Sequence, residues 1–354
     1  MSDLMPRLLA ERPWLLADGA TGTNYFAVGL QTGDAPELWN LEHPERVADL
    51  HRAFIEAGAD IILTNSFGGT ANRLKLHKAE DRVAEINRAA AKIARAAADE
   101  ADRPVERPVV VAGSIGPTGD LFEPLGPLTM DDGIAAFTAQ AQALAEGGAD
   151  ALWVETISSK EELAAAIAGA GTTGLPILCT LSFDTNGRTM MGITPAEVAG
   201  LARSATPVPL GFGGNCGIGP AELLVALANM REAAGPEDIL VAKSNCGVPE
   251  WRDGAIVYQG TPALMADYAR TALDIGARII GGCCGTTPDH IRAMHEALRD
   301  YEPGPRPDIE AIVARFGEVS RGGRAQQAGE PETAPGAEGG RRRRGRARGA
   351  AGRS

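Results

Sequence analysis

Eight short apolar runs recur along this 354-residue chain, each followed by a loop and a stretch with helical character. They are WLLADG (14–19), DIILTNS (60–66), VVVAGSIG (109–116), ALWVET (151–156), PILCTLSF (176–183), PLGFGGNC (209–216), DILVAKSNC (238–246) and RIIGGCC (278–284). The runs are continuous rather than alternating, as expected of parallel strands buried on both faces. Between them lie amphipathic stretches such as PERVADLHRAFIEAGA (44–59), DRVAEINRAAAKIARAAADEA (81–101) and TPALMADYARTALDIGA (261–277). Three units end in EAGAD, EGGAD or DIGAR, a helix C-terminal glycine followed at once by strand entry. Eight strand–helix units predict an α/β protein with a single (β/α)8 TIM barrel over roughly residues 10–320. An open doubly wound sheet is the alternative, but no GxGxxG fingerprint follows the first run.

Charge is distributed unevenly. The net charge is −12, yet residues 321–354 hold nine arginines against three glutamates, so the body carries −18 and the tail +6. Such a body is soluble and a poor nucleic-acid binder. The tail has no aliphatic residue larger than alanine and no aromatic, cannot offset its ordering entropy, and is expected to be disordered. Its arginine–glycine composition suits either a solvated tail or charge-driven contact with RNA or another acidic partner. No run approaches the ~18 uninterrupted apolar residues of a membrane span. The first residues lack the apolar core and cleavage pattern of a secretory signal. Five cysteines in so long a chain read as reduced thiols. The expectation is a cytoplasmic protein without membrane contact.

In a barrel of this kind the chemistry sits at the C-terminal ends of the strands. Those ends carry Asp18, Thr64–Asn65–Ser66, Ser114, Glu155, Asn215–Cys216, Asn245–Cys246 and Cys283–Cys284. Cys179, mid-run, needs only a packing role. Cys216, Cys283 and Cys284 fall in glycine-rich strand ends, where packing has little use for a thiol. Together they predict one soft metal ion per chain, Zn2+, with the fourth position open. Cys246 is read as a neighbouring thiol that does not ligate. Three thiolates on a dication make a weak Lewis acid, but they can bind and deprotonate another thiol and so prepare it for alkyl transfer. A barrel with a structural or redox-responsive zinc is the weaker alternative. No HExxH helix or triad-like histidine arrangement supports a hydrolase.

Over about residues 10–300 the chain resembles the homocysteine S-methyltransferase family. The resemblance rests on DGATGT, EAGADIILTNSFGGT, AGSIGPTG, GGNCG and IGGCCGTTP. It implies zinc-dependent methyl transfer to homocysteine, giving methionine, with Cys216, Cys283 and Cys284 as ligands and the homocysteine sulfur in the fourth position. Asp18 and Glu155 are then the acids that hold the α-ammonium. Gly19 backbone N–H groups with Thr64 and Ser66 are assigned to the carboxylate. Asn215 either supports the neighbouring thiolate or contacts substrate.

The methyl donor stays open between betaine, dimethylsulfoniopropionate, S-methylmethionine and a methyl-corrinoid. Betaine binds best in an aromatic cage. Gly68 and Thr156 stand where animal betaine enzymes carry cage aromatics, which leaves Tyr25, Phe26, Trp39, Phe67 and Trp251 as candidates for a different one. TNSFGGT and VET look closer to the homocysteine module of cobalamin-dependent methionine synthase, a route that requires methylcobalamin on a separate corrinoid protein. Betaine is favoured as the stand-alone donor, and the oligomeric state is left open.

Overall fold

The structure is a computed structural model that describes residues 3–104, 107–252 and 255–327. Eight parallel strands form the barrel: β1 (Leu15–Leu16), β2 (Ile61–Leu63), β3 (Val110–Ile115), β4 (Ala151–Ile157), β5 (Ile177–Leu181), β6 (Gly211–Cys216), β7 (Ile239–Ser244) and, after the hairpin strands β8 (Pro249–Arg252) and β9 (Ala255–Tyr258), β10 (Ala277–Gly282). The hydrogen-bonded order is β1-β10-β7-β6-β5-β4-β3-β2. A parallel bridge between Ala17 and Ile61 joins the two ends, so the expected (β/α)8 barrel is present.

Strand side chains alternate between two apolar environments. Leu15, Ala17, Leu63, Ala112, Trp153, Leu178 and Val241 fill the barrel interior. Leu16, Ile62, Val111, Leu152, Cys179 and Leu240 pack outward under the helices. This two-sided burial is why the runs are continuous in sequence. Side-chain caps start several of the helices: Thr129 accepts from Asp132 N, Ser159 from Glu162 N and Thr261 from Leu264 N. The repeated helix endings close as expected, with Gly58, Gly148 and Gly276 at φ +108, +102 and +107, a region glycine enters without strain.

Three features depart from the sequence expectation. The barrel unit starts before residue 10, because helix Leu4–Glu11 closes the bottom of the barrel with Met5, Leu8 and Leu9. The antiparallel hairpin β8–β9 follows β7 and was not anticipated; strands this short carry a weak alternation signal. The unit also runs past residue 320, since Arg321–Gln327 is helical. Ser320 N and Oγ both donate to the Glu222 carboxylate, and Gly322 N donates to Asn186 Oδ1 at 2.8 Å. Backbone without side chains can lie that close to a loop, a tertiary contact that composition does not reveal. Residues 328–354, which hold the arginine run, lie outside the described residues. Among the described residues no helix is long and apolar enough to cross a membrane.

Candidate active site

Cys216 ends β6, and Cys283 and Cys284 directly follow β10. Their sulfurs all lie within 4.8 Å of one another at the C-terminal mouth. A tetrahedral zinc with bonds near 2.3 Å needs sulfurs about 3.8 Å apart, so sub-ångström adjustment suffices and the donor set fits. Three thiols this close cannot all ionise unaided. Hydrogen bonds from Cys216 and Cys283 hold the Cys284 thiol down at about 3, while the same interactions and burial push Cys216 up. A bound dication relieves that conflict.

The backbone around the thiols is clamped. Cys216 has φ +60, a left-handed conformation costly for a non-glycine residue. Asn245 bridges the two cysteine segments: its Nδ2 donates to Gly217 O at 2.5 Å and its Oδ1 accepts from Cys284 N at 3.0 Å. Cys283 N donates to Ser244 O at 2.6 Å. Cys246 is buried, its Sγ donates to Gly260 O at 3.2 Å, and it lies outside the three-sulfur group, as expected. Tyr258 of β9 helps to hold the Cys284 thiol down, an influence invisible in sequence because the hairpin is.

A cavity of about 380 Å³ opens over the sulfurs, its wall including Gly19, Thr64, Ser66, Ser114, Glu155 and Lys243. Glu155 is buried and accepts from Ser114 Oγ at 2.5 Å. Burial pushes its carboxyl up to about 7, against the opposing pull of Lys243. Asn215 is fully buried beside the cavity, with Nδ2 4.0 Å from Cys283 Sγ.

The structure rearranges two of the expected roles. Thr64 and Ser66 line the cavity, but their hydroxyl protons are committed. Ser66 Oγ donates to Ser114 O at 2.7 Å, which leaves Thr64 Oγ1 to donate to Ser66 Oγ at 2.6 Å while accepting from Ser114 N at 3.0 Å. Asp18 sits beneath the cavity wall, its Oδ2 accepting from Leu63 N at 2.8 Å and its Oδ1 3.2 Å from Lys243 Nζ. Lys243 therefore stands at the cavity surface where Asp18 was expected. Burial alone would lower its pKa, but Asp18, Glu155 and Cys283 outweigh that and hold it above the ordinary lysine value. Within DILVAKSNC a lone lysine gave no signal beyond a strand-end charge.

The five candidate cage aromatics fall in different places. Tyr25 and Trp39 pack together with ring centroids 5.2 Å apart, in a cluster with Leu30 and Val47. Phe26 and Phe67 do line the cavity. The Trp251 side chain lies outside the described residues. Gly68 N donates to Glu37 Oε1 at 2.6 Å, and a Cβ at position 68 would stand 2.9 Å from that oxygen.

Fold and site together define a barrel whose mouth carries a three-thiol centre suited to a soft metal. The chain belongs to the homocysteine S-methyltransferase family, whose model matches residues 15–298. It is 31% identical to the methionine synthase of Mycobacterium leprae over 88% of this chain and 26% of that protein. It is likewise 31% identical to the methionine synthase of Mycobacterium tuberculosis, over 81% of this chain and 25% of that protein. The chain thus spans about a quarter of the length of these relatives. The metallated form of the homocysteine methyltransferase MmuM from Escherichia coli superposes with a TM-score of 0.68 at 26% identity, covering 82% of this chain and 99% of that one. The oxidized form gives a TM-score of 0.69 at the same identity and 82% and 98% coverage.

Proposed function

We propose that this chain is a zinc-dependent methyltransferase that moves a methyl group from an onium donor, betaine favoured, to the thiol of homocysteine, forming methionine. The observation that carries the reading is the convergence of Cys216, Cys283 and Cys284 beside the buried Glu155 and Lys243 at one cavity wall. When bound, zinc would lower the pKa of the incoming thiol and keep its sulfur electron-rich. In this reading Glu155, buried in the cavity wall, takes the α-ammonium. The sulfur lone pair forms the new S–CH3 bond while the donor's C–N or C–S bond breaks, its electron pair leaving with the neutral amine or sulfide. The net negative thiolate centre favours a donor whose transferred methyl sits on an onium centre, the ammonium of betaine or a sulfonium.

A corrinoid donor is the second reading, and two observations favour it. The relatives that are 31% identical are methionine synthases. Exposed apolar side chains also reach the cavity, Phe26 and Leu76, and others stand in loops that follow barrel strands: Leu121, Leu125, Met190, Ile218 and Val248. A panel decides the matter: zinc-loaded protein and homocysteine with betaine, dimethylsulfoniopropionate, S-methylmethionine or methylcobalamin, with methionine as readout. Turnover with an onium donor is expected. Turnover with methylcobalamin alone would establish the second reading, and full turnover by metal-free protein would overturn both.

A further inference from the structure

Homocysteine is a zwitterion, and a buried site must answer both of its charges. The candidate for its ammonium is Glu155. The hydroxyls expected to answer its carboxylate, those of Thr64 and Ser66, have no proton left to donate. Lys243 does. Its ammonium carries three N–H groups. Among the described residues its partners are Gly19 O at 3.2 Å and Asp18 Oδ1 at 3.2 Å. The side chain is only 3% exposed, yet it lines the cavity that holds the three sulfurs. Lys243 Nζ is therefore held by a hydrogen bond to Gly19 O and by the charge of Asp18, with N–H capacity left for a ligand.

We propose that Lys243 binds the α-carboxylate of the thiol substrate, with Asp18 positioning Lys243 rather than contacting substrate. This rests on the functional reading above and deepens it: the site selects an α-amino acid thiol, not any small thiol. Lys243 and Glu155 present opposite charges to one cavity, the pattern that complements the carboxylate and ammonium of an amino acid. A ligand without the carboxylate would leave a buried ammonium short of a partner, which costs far more than a missing apolar contact.

The test is isothermal titration of the zinc-loaded full chain, with no methyl donor present, so that a donor's carboxylate cannot enter. The ligands are L-homocysteine and 3-aminopropane-1-thiol, which keeps thiol and amine but lacks the carboxylate. The wild type should bind homocysteine about 100-fold more tightly. Lys243→Met should reduce that ratio below about 5 by weakening homocysteine alone. Equal affinities in the wild type, or a Lys243→Met loss shared equally by both ligands, would overturn the proposal. If Lys243→Met does not fold, Lys243→Gln keeps a donor towards Asp18 and is read by the same ratio. Failure of the functional reading looks different: neither thiol would bind the wild type, and this inference would fall with it.

Discussion

Asn215 grips Thr156 at both ends of its amide. Its Oδ1 accepts from Thr156 N at 2.8 Å and its Nδ2 donates to Thr156 Oγ1 at 2.7 Å. Thr156 has φ +63, so a side chain from β6 holds the end of β4 in a conformation that costs about 1–3 kcal/mol. The residue before it is Glu155 and the residue after Asn215 is Cys216. One amide thus couples the placement of the carboxylate to that of a thiol.

Asn215→Ala leaves a buried N–H unpaired and frees the strained turn. Stability should fall by about 1–3 kcal/mol in urea unfolding, and the homocysteine KM should rise. An unchanged midpoint together with an unchanged KM would show that the grip is incidental.

The thiols divide sharply in their expected effects. Cys283→Ala should abolish binding of the proposed zinc and reduce methyl transfer by at least about 100-fold. Cys246→Ala and Cys179→Ala should keep the metal, because both thiols are buried outside the three-sulfur group. Metal analysis by plasma mass spectrometry after dialysis checks all three.

Glu155 predicts a pH dependence of definite sign. With its carboxyl pushed up to about 7 by burial, it is neutral in mild acid and charged above neutrality. Homocysteine affinity should rise between pH 6 and 8, and Glu155→Gln should flatten that rise. Stability runs the other way. The raised pKa contributes stability present below about pH 4.5 and lost as pH climbs through 7. Glu155→Gln should therefore gain on the wild type by on the order of 3 kcal/mol between pH 5 and 8. Melting curves at both pH values measure the gap, and a constant gap would sink the assignment.

Two separable features lie in the C-terminal segment, the Ser320 contact with Glu222 and the arginine run at 341–344. Truncation after Gln327 should leave melting and methyl transfer unchanged while abolishing any salt-sensitive retention of RNA. Truncation after Phe316 removes the Ser320 donors from the buried Glu222 carboxylate and should cost about 1–3 kcal/mol. RNA retention that survives removal of residues 328–354 would count against a role for the tail.

The sequence by itself determined the barrel and its thiol centre. Continuous apolar runs and glycine-terminated helices are local patterns, and residues at strand ends converge in any closed parallel barrel. Cys216, Cys283 and Cys284 could therefore be placed together although 67 residues separate the first two. The charged and hydroxylated neighbours were decided only by the tertiary structure. Thr64, Ser66, Asp18 and Lys243 all end near the cavity, but which has a donor to spare depends on hydrogen bonds made across strands. Asp18, just after β1, and Lys243 from β7 meet through the curvature of the closed sheet, 225 residues apart in sequence, and no local pattern carries that pairing. The same holds for Tyr25 and Trp39, which pack against each other instead of walling the cavity. Period and composition report which face a residue occupies, whereas its hydrogen-bonding partners are set by the packed whole.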